Sequence, residues 1–436
     1  MDSTAPAHGR RVYRQLEIKL LFLAALFMAA GASAGYLWRG GDARTVFIGA
    51  SAPALAFLLV GILWQALRFK ADQFMLPVVA VFSYTSLVFL YRLEPGYAYR
   101  QFAWLLTGLF CMFLTTRLFT NYRRLSEYKY VYGLIGALLL IVPVFFGIEE
   151  GGARSWLDFG LFHLQPSEFV KILVVLFLAS YMSENKMVLA RGTESVLGLA
   201  LPGPRVWGPL IGMWGISLIL LAFQRDLGTA LIYFGAFLAM VYVATARMLY
   251  ISLGTALFLG GGALSYLLFD HVKQRVDIWL LNPYGFIELG DREYSQAYQI
   301  IQSLFAIGAG GLTGTGLGGG YPKFIPAVHT DFIFAAITEE LGLLGGVGIL
   351  LLYVIFVYRG LKVALESRDD FSKLLAFGLT ALMGLQAFII VAGVTKLLPL
   401  TGVTLPFISY GGSSLVANFI ILGMLMNISH EARSHE

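Results

Sequence analysis

LLAFGLTALMGLQAFIIVAGVT occupies residues 374–395 without a single charged side chain. A helix needs about 20 predominantly apolar residues to cross the hydrocarbon core of a bilayer, so this stretch predicts one crossing. Outward from it, similar runs follow one another along nearly the whole chain. They predict twelve spans, near 18–38, 45–64, 74–91, 102–119, 130–147, 169–184, 206–223, 228–245, 248–269, 332–358, 374–395 and 403–428. Of 436 residues, 58% are hydrophobic and 13% charged, whereas soluble domains run at about 45–50% and about 25%. Inside hydrocarbon only helices and closed barrels satisfy every backbone polar group, and the alternating pattern of a barrel is absent. The expected fold is all-α, a polytopic integral membrane protein.

An even number of spans puts both termini on one side of the membrane. Short-loop basic residues decide which side. The set containing the tail (Arg10, Arg11, Arg14, Lys19), Arg68 and Lys70, Arg117 to Lys129, Lys186 to Arg205, Arg247, and Arg359 to Lys373 holds most of the 31 Lys and Arg. That set is expected in the cytoplasm, with both termini. The N-terminus runs into a span of full length without a small-residue cleavage site, unlike a cleavable signal. The lone cysteine, Cys111, excludes a disulfide framework. The net charge of +5 reflects cytoplasmic loops; no nucleic-acid-binding motif occurs, and no nucleic-acid partner is expected.

The other connections then lie outside the cell: 148–167, the tight Gln224-Arg225-Asp226 turn, a large loop over 270–331, and 396–406. Loops beyond about 12–15 residues are uncommon unless functional or disordered. The large one carries Trp279, Tyr284, Phe286, Tyr294 and Tyr298, rings suited to a membrane interface. Within it Tyr298, Ile301, Leu304 and Phe305 form a helical stripe, predicting a short helix lying in the outer interface. A helix packed on the bundle is the other reading.

Ionisable residues in a membrane protein are functional candidates, and here they gather at the outer ends of the spans: Arg154, Asp158, Glu168, Lys171, Arg225, Asp226, Asp331 and Lys396. Asp331 follows His329-Thr330 and opens an apolar run. A carboxylate at a helix N-terminus is favoured as the anion and can accept a proton, or it can simply cap the helix. Glu339 and Glu340, two turns deeper, read as members of structural ion pairs with a partner such as Arg154, Lys171 or Arg225. Gly314-x-Gly316-x-x-Gly319 matches a dinucleotide fingerprint by letter only, since no strand precedes it; a flexible loop near the headgroups is expected. Ser409, Ser413 and Ala417 have the spacing of close helix packing. No Walker motif occurs, so ATP is not the direct energy source for any uphill step.

Five segments together resemble one family. GGARSWLDFGLFHLQPSEFVK (151–171), QRDLGTAL (224–231), AYQIIQSLFAIGAGGLTGTGLG (297–318), HTDFIFAAITEELGLLG (329–345) and LLPLTGVTLPFISYGGSS (397–414) occur in the order found in the SEDS proteins (shape, elongation, division and sporulation), of the RodA/FtsW/SpoVE type. The resemblance covers about 74–428. It divides the chain into an N-terminal part, 1–73, with a cytoplasmic tail and two additional spans, a ten-span core over 74–428, and a cytoplasmic tail over 429–436.

The resemblance implies a peptidoglycan glycosyltransferase that polymerises lipid II at the outer face of the bacterial cytoplasmic membrane, beside a class B penicillin-binding protein. It makes Asp331 the essential acidic residue, read here as the general base on the acceptor's 4-hydroxyl. Trp156, Arg154, Lys171, Glu168, Arg225, Lys323 and Lys396 are expected to bind substrate, with Arg275 a further cation for the pyrophosphate. Relatives carry a basic residue directly before the Trp, where this chain has Ser155, and commonly Pro where it has Arg225. A divalent cation, Mg²⁺ or Mn²⁺, could share the pyrophosphate's charge, although no metal box is visible. The alternatives are a flippase for the same lipid and a non-catalytic cell-wall scaffold.

Overall fold

The apolar runs fold as helices because, with few polar side chains to compensate, each segment must satisfy its own backbone. A computed structural model describes residues 14–39, 43–150, 153–160, 162–191, 194–196, 199–201, 203–282 and 291–434. Its helices are α1 (Gln15–Arg39), α2 (Ala43–Ala66), α3 (Met75–Leu93), α4 (Pro95–Leu118), α5 (Lys129–Phe146), α6 (Pro166–Arg191) and α7 (Pro204–Phe223). They continue with α8 (Leu227–Thr245), α9 (Met248–Leu268), α10 (Asp270–Leu280), α11 (Asp291–Gly310), α12 (Ile333–Glu366), α13 (Asp370–Val394) and α14 (Gly412–Ser434). All but α10 and α11 are long and apolar enough to cross a membrane, twelve among the described residues, as the hydropathy pattern predicts. The chain is a multi-pass membrane protein.

Helices α3 and α14 form the centre, each 89% buried along its most apolar window. Around them α4 packs on α14, α12 on α13, and α6 on α8 and α13, while α1 and α2 pair against α3. At the perimeter α9 is only 6% buried and presents Leu257, Leu259 and Leu267 outward, the composition of a lipid-facing helix. The start of α1 and the end of α14 both bond the α2–α3 connection. Arg14 donates to Phe69 O, and Lys70 N donates to His430 Nδ1 at 2.8 Å. Fully buried Asp72 accepts from Arg359 Nε at 2.9 Å and Arg433 Nη2 at 3.2 Å.

Several boundaries differ from the sequence expectation. The span expected at 332–358 is a longer helix, interrupted at Gly342 (φ 71°, ψ −177°). The span expected from 403 begins at Gly412, because Pro399 and Pro406 keep the preceding segment non-helical; Ser409 therefore lies outside the helix bearing Ser413 and Ala417. Residues 429–434, expected in a tail, continue α14. Residues 148–164 contain three short antiparallel strands, β1 (Ile148–Glu150), β2 (Ala153–Asp158) and β3 (His163–Leu164), in the order β1-β2-β3.

The 270–331 segment is largely structured where described. It holds α10 and α11, and α11 packs along α12 instead of lying alone in the interface. Its buried face is Ala297, Ile300, Ile301 and Ser303, with Phe305 exposed. Tyr284 and Phe286 lie outside the described residues, as does the side chain of Tyr294.

Candidate active site

The site is built where three chain reversals meet, at the end of the bundle opposite the termini. The first is the Gln224–Asp226 turn between α7 and α8. Arg225 adopts φ +59° there, and Asp226 caps α8, accepting from Thr229 N (3.1 Å) and Thr229 Oγ1 (2.8 Å). Gln165 Nε2 adds a third bond at 3.1 Å. The second is the turn after α13, where Lys396 has φ +61° and its ammonium donates to Leu281 O. The third is the His329-Thr330-Asp331 turn before α12. His329 stacks on Tyr97, with ring centroids 4.3 Å apart and planes 8° apart. Ser409 Oγ donates to Thr330 O, and Tyr410 N donates to His329 O at 2.9 Å. The turn bearing Asp331 is thereby fixed from both sides.

Asp331 does not cap α12. The capping position is Phe332, and no side-chain cap bond forms there. Half-buried, Asp331 instead opens onto a cavity of about 310 Å³ lined also by Arg225, His271, Arg275 and Lys396, within the range of ligand pockets. Arg275, on α10, is anchored by donating to Thr401 O (3.0 Å), and it feels the charges of both Asp226 and Asp331. Gly402 (φ +72°) forms part of the wall; a Cβ there would stand 3.5 Å from Asp331 Oδ2.

Burial lifts the Asp331 carboxyl from 3.8 to about 6, opposed by a hydrogen bond with the Thr330 side chain and by Arg275. Burial also lowers His271, helped by Arg225 and Arg275, favouring its neutral form. The helix-end argument leads to an anion at neutral pH. With the carboxyl raised to about 6, the anion still predominates at neutral pH.

The other expected residues are dispersed. Arg225 and Lys396 line the cavity with Asp331. Arg154 turns to the backbone, donating through Nε to Gly147 O at 2.9 Å. Trp156, half-buried on β2, is in register with Ile148 and outside the cavity lining. Lys171 is buried and bonds Glu168 Oε2 (2.6 Å), Asn418 Oδ1 (2.9 Å) and Gln386 Oε1 (3.1 Å), a structural cluster between α6, α13 and α14. Lys323 lines a different cavity with Glu94, Tyr97 and His329.

Glu340 pairs with Arg92, Nε to Oε1 at 3.0 Å, not with Arg154, Lys171 or Arg225; Arg92 is the basic residue nearest it because α3 ends beside the glycine-rich segment. That segment is not a loose loop. Thr315 N and Gly316 N donate to Glu339 O and Glu340 O, each at 3.0 Å, and Leu343 N donates to Gly311 O at 2.9 Å, filling the break at Gly342.

Sequence reading undervalued α10. His271, Gln274, Arg275, Ile278 and Trp279 all line the cavity, and their spacing is one helical face. Trp279, expected as an interface ring, donates its indole N–H to Lys396 O at 3.1 Å.

Fold and site together define a polytopic membrane protein with a carboxylate and several cations in one cavity at a bundle end. The chain belongs to the cell cycle protein family of FtsW, RodA and SpoVE, whose model matches residues 64–434. Among curated relatives it is similar to the peptidoglycan glycosyltransferase RodA of Mycobacterium tuberculosis H37Rv, 42% identical over 87% of this chain and 83% of that protein. It is also similar to the stage V sporulation protein E of Bacillus subtilis, 32% identical over 82% and 93%. Among solved structures, a chain from a study of how a peptidoglycan synthase complex coordinates polymerization and crosslinking is 28% identical, with TM-score 0.68 over 83% of this chain and 98% of that one. Thermus thermophilus RodA is 26% identical, with TM-score 0.57 over 84% and 98%.

Proposed function

We propose that this chain is a peptidoglycan glycosyltransferase that polymerises lipid II, with Asp331 as general base and the Asp331 cavity as the site of the reacting groups. The observation that carries the reading is a carboxylate in the same cavity as Arg225, Arg275 and Lys396. Glycan extension joins an acceptor hydroxyl oxygen to the donor's anomeric carbon and breaks that carbon's bond to the pyrophosphate oxygen. Asp331 takes the hydroxyl proton. The pyrophosphate leaves with the bonding electron pair and needs no proton, so a single base suffices, unlike glycoside hydrolysis. The three cations stabilise the charge that grows on the leaving group. Among the described residues the lining supplies one carboxylate, Asp331, and Mg²⁺ is commonly held by one or two carboxylates together with substrate phosphates; a divalent cation arriving with the pyrophosphate would share its charge there, and no step is assigned to it.

The bundle end holding the termini and most basic loops is assigned to the cytoplasm by its charge. The cavity end then faces outward, where lipid II is consumed. The likeness to a chain from a synthase complex supports a class B penicillin-binding protein as partner. A polymerisation assay tests the reading. Purified protein and partner, given labelled lipid II in detergent, are expected to produce long glycan chains. Translocation of lipid II across liposomes without any polymer would overturn the reading in favour of a flippase.

A further inference from the structure

The lining of the Asp331 cavity is of two kinds. Arg225, Arg275 and Lys396 supply positive charge, whereas Gln274, Trp279 and Gln299 are neutral. Arg275 is tied to Leu400 O and Thr401 O, and Lys396 to Leu281 O. The indole N–H of Trp279 is likewise engaged, by Lys396 O at 3.1 Å. What half-buried Trp279 keeps for a ligand is the hydrocarbon surface of its ring, held in place by that bond. The two glutamines differ. Gln274, exposed on α10, and Gln299, half-buried on α11, form no side-chain hydrogen bond among the described residues. Each carries two N–H donors and a carbonyl acceptor, left by the fold to water or a ligand.

That chemistry narrows the ligand. Ionised phosphate offers acceptors only and suits the cations. A neutral amide both donates and accepts, so it complements another amide. A sugar ring adds an apolar C–H face, which lies against an aromatic ring. Ligand pockets combine such an aromatic surface with a few placed polar groups. We propose that Trp279, Gln274 and Gln299 form a carbohydrate subsite for an N-acetylated sugar, with the indole under the sugar ring and the two glutamines on its acetamido group. The assignment rests on lipid II as substrate. It adds, beside the cations for pyrophosphate, the residues that select the sugar.

The test uses the full chain with its partner in detergent and two labelled substrates: lipid II, and an analogue with hydroxyls in place of its acetamido groups. Kd and polymerisation rate are measured for each. The parent is expected to bind lipid II about tenfold more tightly than the analogue, from the hydrogen bonds lost. Gln274→Leu combined with Gln299→Leu should erase that preference. Trp279→Leu should weaken both substrates alike by about tenfold and leave the preference intact, and Trp279→Phe should recover most of the loss. Thermal melting verifies that each variant is folded. Equal Kd values for the parent, an unchanged preference in the double glutamine variant, or full affinity in Trp279→Leu would overturn the subsite while leaving a polymerising parent a polymerase. A glutamine-dependent preference without any polymer from the parent would keep the subsite and defeat the polymerase reading alone.

Discussion

At the scale of residues, Asp331 is set apart by where its proton sits. Burial brings its pKa to about 6, and the base proposed here must be ionised to act. The rate should therefore fall tenfold per unit as pH drops below about 6 and level off above it, read from kcat/KM against pH. Arg275 opposes the rise, so Arg275→Ala should move the acid limb to higher pH while lowering the plateau; an unmoved limb would remove Arg275 from the electrostatics of the base. Arg225 and Lys396 both occupy left-handed backbone, a conformation that costs non-glycine residues energy and clusters at functional sites. On position alone Asp331 read equally as a helix cap or a proton acceptor; the family resemblance singled it out, and the structure places it on the cavity instead of at the cap. Arg154 and Lys171 lie outside the cavity lining, each engaged by neighbouring groups. A charge at a span end can equally bond a carbonyl or a buried amide, and only coordinates separate these outcomes. The importance of Arg275 depended on α10 folding back over the 396–402 turn, a contact between residues more than 100 positions apart.

At the scale of elements, the glycine-rich segment and the interrupted α12 form one unit. A Cβ at Gly314 (φ +84°) would lie 2.2 Å from Glu340 O. Gly314→Ala should destabilise the protein by at least about 1–2 kcal/mol, from the left-handed backbone alone, seen as a lower melting temperature in detergent. Arg92→Ala strands Glu340 in a buried position and should cost about 3–5 kcal/mol, while Arg92→Lys recovers part of it. The sequence showed the helices clearly, since periodicity and length are local properties. It did not show the break at Gly342, because a glycine inside an apolar helix reads as continuous until a neighbouring segment supplies the hydrogen bonds that make the break stable.

At the scale of the whole molecule, the two ends of the bundle differ in kind. One gathers the start of α1, the end of α14 and the Asp72 ion network, and the other gathers the cavity. In cells with Cys111 replaced by Ala, Phe159→Cys should react with a membrane-impermeant maleimide from outside, and Asn121→Cys only after lysis; the reverse pattern would invert the assigned orientation. Span number was legible because bilayer thickness acts on composition. The most direct test of the central claim compares the parent and Asp331→Asn on labelled lipid II, each with its partner and at equal substrate occupancy. The account predicts that the variant binds the substrate yet loses about 10²–10⁴ in polymerisation rate. Glycan chains formed by the variant at the parent's rate would contradict it.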